Sequence, residues 1–197
     1  MLAPAFAVPV FASQAVFRSV MDAMARPGTI VATAGLARAP FPFNLGAASV
    51  ALALLDHETP VWLDPALAQS PEVTGWLRFH TGVPLTDEPQ QAAFGFIADP
   101  SMMPQFEAFC QGSIEYPDRA TTLVLQVECL LGERGFSLSG PGIRDSRTLL
   151  ASPLPPDFTA RMRANRALFP CGVDIILAAG EMLAALPRSV HVAMEQA

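Results

Sequence analysis

The longest strand-like apolar segment of the chain, residues 121–131, is the feature that most constrains the fold. Its Thr, Val and Leu content is typical of a β-strand that is buried on both faces. Such a strand needs a covering layer on each side, because neither of its faces meets water. Helical segments alternate with shorter apolar strands over most of the chain. This pattern predicts an α/β fold, specifically a three-layer α/β/α sandwich around a mixed sheet.

Proline, glycine and capping residues place the other elements. Helices are predicted at residues 13–26, 47–57, 71–81, 104–110 and 156–168. Strands are predicted at residues 29–33, 59–64, 94–98, 136–139, 173–179, 182–186 and 189–193. No repeat or long linker divides the 197 residues, so we expect a single domain with a short apolar N-terminal arm over about residues 1–12.

The surface is expected to be poor in charge. Charged residues make up 15% of the chain, against roughly 25% in typical soluble domains. Two interpretations remain open at this point. Either other chains cover part of the surface, or the protein is a small, alanine-rich monomer.

The absence of lysine excludes several kinds of chemistry. All 12 basic residues are arginines. A pyridoxal-phosphate enzyme needs a lysine for its internal Schiff base, and a Walker A loop needs one to reach the phosphates. Any anion must therefore be bound by arginine, backbone N–H groups or hydroxyls.

The net charge of −6 argues against a general role in nucleic-acid binding, but the charges are segregated along the chain. Residues 45–118 carry ten acidic side chains against one arginine, whereas residues 134–166 carry six arginines against two aspartates. The basic segment suits an acidic partner or a phosphorylated ligand. A solvated helix face explains its arginines equally well.

The sequence contains no metal or membrane motif. Its three cysteines are widely spaced and its three histidines are scattered, so neither a zinc site nor an iron–sulfur cluster is expected. An odd number of separated thiols is typical of a reducing compartment. The longest lipid-like segment spans residues 45–55, about half of what a bilayer requires. We expect a cytoplasmic protein that does not cross a membrane and has no cofactor.

Two motifs invite a functional interpretation. Gly140-Pro141-Gly142 follows a strand, as a phosphate-binding turn does, but position 145 is not the third glycine of a dinucleotide motif, and a tight turn is the simpler interpretation. Arg78 and His80 lie together at a predicted helix end. They converge only if the helix ends between them. Otherwise His80 merely suits the negative end of the helix dipole.

Other candidates lie at element ends. Arg26 precedes Pro27-Gly28, which is expected to end the first helix, and Arg188 follows a predicted strand. Asp174 either pairs with Arg188 across a hairpin or faces a cleft. No catalytic residue is assigned on residue chemistry alone. The candidate residues for anion or partner binding are Arg26, Gly28, Arg78, His80, Arg144, Asp174 and Arg188.

Six short segments, taken in order, resemble one family. They are FRSVMDAMARPG (17–28), TPVWLD (59–64), LRFHTGVPL (77–85), GPGI (140–143), FPCGVDIIL (169–177) and LPRSVHV (186–192). In this order and spacing the chain resembles the PhnH family, the H subunits of the bacterial carbon–phosphorus lyase system for phosphonate breakdown. The resemblance extends over about residues 5–192.

This resemblance implies a fold related to the large domain of pyridoxal-phosphate transferases, without the cofactor. It also implies a protein that forms a homodimer when isolated and joins a core complex with the G, I and J subunits. That system attaches an alkylphosphonate to the ribose of ATP with loss of adenine, before the C–P bond is cleaved. The radical and nucleosidase chemistry belongs to the J and I subunits, so no catalytic residue is carried over to this chain.

Three hypotheses follow for function. In the first, the chain is an accessory subunit that serves assembly of the complex. In the second, it is a phosphate- or nucleotide-binding subunit, which requires Arg26, Arg78, Arg144 or Arg188 to converge on one cleft. The third, a free-standing α/β enzyme, has no nucleophile–base pair or cofactor motif to support it.

Overall fold

The segment that the sequence marks as buried on both faces forms the centre of a six-stranded sheet. The computed structural model describes residues 5–6, 8–33, 35–132 and 135–194. The helices of this part of the chain are Pro9–Ala25 (α1), Leu45–Leu54 (α2), Pro65–Ala68 (α3), Pro71–Thr81 (α4) and Phe158–Ala167 (α5). Its strands are Val31–Ala32 (β1), Val61–Leu63 (β2), Phe94–Ile97 (β3), Thr122–Gln126 (β4), Phe136–Ser139 (β5), Arg147–Leu149 (β6), Asp174–Ala179 (β7), Met182–Leu186 (β8) and His191–Met194 (β9).

The main sheet is mixed, as predicted. Its strand order is β1-β8-β7-β4-β3-β2. The strands β2, β3, β4 and β7 are parallel, whereas β8 is antiparallel to both β7 and β1. The predicted hairpin is therefore confirmed as β7–β8. All but the first residue of β4 are buried, and the same holds for β7, because parallel strands at the centre of such a sheet are covered on both faces.

Two apolar cores lie on the two faces of this sheet. On one face, Val124 and Ile176 belong to a core with buried side chains of α1, α2 and α4. On the other face, Leu123 and Ile175 belong to a core with residues of α5 and of the strands β5, β6 and β9. The sheet is thus covered on both sides, but only one covering layer is entirely helical.

A second, three-stranded sheet in the order β6-β5-β9 forms part of the other layer. The strands predicted at residues 136–139 and 189–193 belong to it rather than to the main sheet. They are less buried, since only Leu138 of β5 and Val192 of β9 are fully buried. One-sided burial of this kind fits a small antiparallel sheet that packs on one face. The likeness to the large domain of pyridoxal-phosphate transferases remains a prediction.

Several element boundaries differ from the predicted ones at the N-terminus. α1 begins at Pro9 rather than residue 13, so residues 9–12 of the predicted arm are helical. Proline at the first helical position loses no intrahelical hydrogen bond, which makes it a helix start rather than an interruption. Upstream of it, Phe6 is buried and forms a β-bridge with Leu36.

Two further predictions were wrong in extent. The helix predicted at residues 104–110 is a single 3₁₀ turn, Phe106–Ala108, and Phe106 and Phe109 both reach the core, as residues three apart do in that conformation. The strand predicted at residues 121–131 ends at Gln126. The side chain of Gln126 donates to Pro42 O at 2.9 Å and accepts from Asn44 N at 2.5 Å, and so links the end of β4 to the start of α2.

The Gly140-Pro141-Gly142 segment is a tight turn that packs against the end of α1. The φ angles of its two glycines are +128° and +80°, and Ile143 N donates to Gly140 O at 3.1 Å. A Cβ atom on Gly142 would lie 2.1 Å from Ala25 O. The layer that contains the three-stranded sheet therefore contacts α1 at Gly142, a position at which only glycine fits.

We predict that Gly142→Ala lowers the free energy of unfolding by about 3 kcal/mol or more, because a left-handed conformation costs roughly 1–2 kcal/mol and the clash adds to it. The matched control is Gly180→Ala, which has φ +56° but no atom within 4 Å of the added Cβ. It should cost only about 1–2 kcal/mol. Urea unfolding of both variants measures the difference. Equal losses would contradict the close contact with Ala25.

Candidate functional site

Asp174 and Arg188 form a nearly buried ion pair at the start of β7. Arg188 Nη2 lies 2.6 Å from Asp174 Oδ2, and Arg188 Nε lies 3.1 Å from Asp174 Oδ1. The backbone N–H of Arg188 also donates to Asp174 Oδ1 at 2.8 Å. The side chains are only 13% and 17% exposed. Of the two interpretations of Asp174, pairing across the hairpin is therefore the right one.

The same guanidinium joins two further parts of the chain. Arg188 Nη1 donates to Pro117 O at 2.7 Å and to Pro170 O at 3.2 Å. Each of its three nitrogens thus has an acceptor within the protein. Arg188 is consequently an internal anchor, not a ligand-binding arginine.

Arg26 and Gly28 also serve the fold. Arg26 caps the end of α1 and forms an ion pair with Asp22 at 3.1 Å, with both side chains more than half exposed. Gly28 has φ +76°, and a Cβ atom there would lie 2.6 Å from Leu138 Cδ1. Gly28 is therefore required where the α1 turn meets β5.

Sequence reasoning missed the role of Arg147, which was counted only within the basic segment. Its Nη1 donates to Arg26 O at 3.4 Å, to Pro27 O at 3.3 Å and to the Thr29 hydroxyl. The side chain thus ties β6 to the carbonyls of the turn that follows α1. No local sequence signal reveals this contact, because the partners are at least 118 residues apart.

Arg78 and His80 do not converge. α4 runs without a break to Thr81 and is capped by Gly82 at φ +70°, so the two side chains point in different directions. The imidazole of His80 lies 4.9 Å from the Trp76 ring, centroid to centroid. Burial lowers its pKa from the ordinary 6.5. Of the two interpretations of this helix end, convergence of Arg78 and His80 is therefore the wrong one.

Arg78 instead faces a polar cavity of about 340 Å³ at the outer edge of β2. This cavity, which we call the Arg78 cavity, contains one arginine and one aspartate. Its lining residues are Leu63, Ala68, Thr74, Arg78, Leu85, Thr86 and Asp87. The neighbouring Asp64 is buried and does not line it. Its carboxylate accepts from the backbone N–H groups of Leu67 at 2.9 Å and Ala98 at 2.8 Å, and so ties the ends of β2 and β3 together.

A second cavity, of about 380 Å³, lies beside the end of α5. Its lining residues are Pro141, Arg166, Phe169 and Ser189, and we call it the Arg166 cavity. Arg166 Nε donates to Ser189 O at 3.3 Å. Arg144 is exposed in the turn that follows Pro141. Neither Arg166 nor Ser189 stood among the residues that the sequence singled out.

Five of the six sequence segments supply residues that line one of these two cavities. The segments at 140–143, 169–177 and 186–192 each supply a residue that lines the Arg166 cavity. Segment 17–28 supplies none, but it packs against Gly142 of the first of these segments. The segments at 59–64 and 77–85 supply Leu63, Arg78 and Leu85 to the Arg78 cavity. The four candidate arginines accordingly do not meet in one cleft.

Within the described ranges, no group of three or more His, Cys, Asp or Glu side chains is arranged to bind a metal ion. Cys110, Cys129 and Cys171 are half-buried free thiols. No described helix is both long and apolar enough to cross a bilayer. The expectation that the protein has no cofactor stays a prediction from the sequence.

Comparison with known proteins gives a match over nearly the whole chain. The family model described as bacterial phosphonate metabolism protein (PhnH) matches residues 4–193. The chain is 44% identical over 191 residues to the alpha-D-ribose 1-methylphosphonate 5-triphosphate synthase subunit PhnH of Rhizobium meliloti (strain 1021), covering 97% of this chain and 95% of that protein. It is 35% identical over 86 residues to the putative C-P lyase subunit protein HtxG of Stutzerimonas stutzeri, covering 44% of each.

We predict that Arg188→Met lowers the free energy of unfolding by about 3–5 kcal/mol, because it leaves the Asp174 carboxylate nearly buried without its partner. The same substitution at the exposed pair, Arg26→Met, should cost at most about 1 kcal/mol. Urea unfolding at neutral pH compares the two variants. Similar losses would show that Arg188 is not an anchor.

We also predict that His80 makes stability fall in mild acid. Burial favours the neutral imidazole, so its stabilising effect is fully present above the unfolded pKa of 6.5 and is lost as the pH falls through the lower folded pKa. His80→Phe keeps a ring beside Trp76 and removes the titration. Between about pH 7.5 and about pH 5, the urea midpoint should therefore fall less in the variant. Parallel falls would rule out this contribution.

Proposed function

Because the chain belongs to the PhnH family of bacterial phosphonate metabolism proteins, we propose that it is a subunit of a carbon–phosphorus lyase complex. In this proposal it serves assembly of the enzyme that transfers an alkylphosphonate to the ribose of ATP with loss of adenine. The near full-length relative, a subunit of a ribose 1-methylphosphonate 5-triphosphate synthase, supports this assignment. The partners are the G, I and J subunits.

The use of the arginines favours the accessory role over a catalytic one. A transferase pocket formed by the four candidate arginines requires them to converge, yet Arg188 is bound by Asp174 and two carbonyls. Arg26 pairs with Asp22, and Arg78 faces a separate cavity. This distribution is the observation that carries the proposal, because the side chains that a catalytic pocket needs are engaged elsewhere.

An exposed apolar stripe on α1 supplies a surface for assembly. Val10, Phe17 and Met21 are 77%, 47% and 53% exposed. Their spacings of seven and four residues place them on one side of the helix. An adjacent side of the helix, with Val16 and Val20, packs on the core. Contiguous exposed apolar side chains of this kind mark interaction surfaces, and they accord with the low charge content of the chain.

The chain forms a homodimer when isolated and works in the cytoplasm in this proposal, both of which the family resemblance implies. The three free thiols support a reducing compartment. The α1 stripe is a surface for either the second copy or a partner subunit, and the oligomeric state of the isolated chain separates these two uses.

The test is co-expression of the tagged chain with the G, I and J subunits from the same operon, followed by affinity purification and native mass determination. We expect a stoichiometric complex. Phe17→Asp should reduce its yield at least about tenfold, because burying a carboxylate at an apolar interface is costly. Failure of the wild-type chain to join subunits that assemble with each other would overturn the proposal.

Phe79→Asp is the matched control, since Phe79 is an exposed phenylalanine on α4 (59%). It should leave the yield unchanged. Circular dichroism of both variants excludes unfolding as the cause. Loss of assembly with Phe79→Asp alone would move the interface from α1 to α4.

A further inference from the structure

The assembly role leaves the Arg166 cavity unexplained. We propose that this cavity binds the phosphoryl or phosphonyl group of a phosphorylated sugar or nucleoside, with Arg166 and Ser189 holding the anion and Phe169 packing against the ring. The site deepens the proposed function and rests on it for the ligand class. The synthase to which the near full-length relative belongs is named for a ribose that bears both a phosphonate and a triphosphate.

The geometry of Arg166 fits an anion. Its Nε donates to Ser189 O at 3.3 Å, which fixes the plane of the guanidinium. Its two terminal nitrogens have no bond to another described residue and so retain their donors. A guanidinium fork of this kind binds two oxygens of a phosphate at once. Ser189 lines the same cavity, and a serine hydroxyl is a donor that an anion can use.

The charges around the cavity also favour an anion. Arg163 lies one helical turn before Arg166, and Arg144 lies three residues after Pro141; both are exposed. The nearby acids are largely neutralised. Asp174 is bound by Arg188, and the hydrogen bond from Arg161 lowers the pKa of Asp157.

Asp145, next to Arg144, and Asp118, next to the Pro117 carbonyl that binds Arg188, remain exposed, so Arg144, Arg163 and Arg166 outnumber them. In a protein of net charge −6, a local excess of positive charge attracts anionic ligands to this place. The Arg78 cavity differs in this respect, because Asp87 lines it beside its single arginine and repels a phosphate.

Phe169 points to the second half of the ligand. Its side chain is 62% exposed although it lines the cavity. An exposed aromatic ring beside a guanidinium offers a flat apolar wall to a sugar or base ring. The volume of about 380 Å³ lies within the range of roughly 300–1,000 Å³ that is typical of small-molecule sites. It accommodates a phosphorylated sugar, whereas a bare phosphate would leave the aromatic wall unused.

Isothermal titration of the isolated full-length chain with inorganic triphosphate, ATP and adenosine tests the site. We expect ATP to bind more tightly than triphosphate, and adenosine to bind at least about tenfold more weakly than ATP. Arg166→Gln should weaken both anions at least about tenfold, because the fork is lost. Phe169→Ala should reduce ATP affinity to that of triphosphate. Added salt should weaken both anions.

The matched control is Arg78→Gln, the same charge change at the Arg78 cavity, which should leave all affinities unchanged. Absence of binding to both anions, or loss of binding with Arg78→Gln instead of Arg166→Gln, would overturn the proposal. Arg166→Lys, which keeps the charge without the fork, should bind as weakly as Arg166→Gln.

Affinity purification of the Arg166→Gln variant with the partner subunits separates the two proposals. We expect assembly to be intact. If the wild-type chain assembles but binds neither anion, the site is wrong and the accessory role stands. If the wild-type chain binds ATP through Arg166 but joins no complex, the accessory role is wrong and the site stands.

Discussion

The ion pair between Asp174 and Arg188 stabilises the end of the main sheet at which β7 begins. The Arg166 cavity and the layer that contains the three-stranded sheet adjoin this end. The pair fixes the first residue of β7, the strand after which β8 turns back, and reaches the carbonyls of Pro117 and Pro170. Since Ser189 follows Arg188 directly, the pair also sets the carbonyl that orients Arg166. A nearly buried ion pair stabilises the folded state only when each of its polar atoms has a hydrogen-bond partner. Here the carbonyls of Pro117 and Pro170 bind the guanidinium nitrogen that Asp174 leaves free.

Much of the fold was predictable because local rules suffice for it. Helix α4 begins and ends as the capping residues Ser70 and Gly82 indicate, and the β7–β8 hairpin follows from two apolar strands around Gly180. The assignment of β5 and β9 to a separate sheet was not predictable, because strand partners are chosen by packing between distant segments rather than by the strands themselves. The same limit explains why α1 was predicted too short: Pro9 reads equally as a break or a beginning.

The site was less accessible to sequence reasoning than the fold. The residues singled out for their charge at element ends, Arg26 and Arg188, are paired with Asp22 at the surface and with the nearly buried Asp174. For Arg166 the sequence left a solvated helix face and binding of an acidic partner or phosphorylated ligand equally open, since nothing local shows that Ser189 lies beside it. A charged residue is informative about ligands only when its partners are known, and those partners are non-local. The motif segments were more useful as a group, because three of the six supply residues to one cavity.

The contact between Gly142 and the end of α1 has a thermodynamic consequence. The turn has no space to yield toward Ala25, and Arg147 ties the following carbonyls to β6. α1 and the turn that carries Pro141, which lines the Arg166 cavity, are therefore joined by direct contact. If a protein bound to the exposed side of α1 changes the affinity of the cavity for its ligand, thermodynamic reciprocity requires that the ligand changes the affinity for that protein by the same factor.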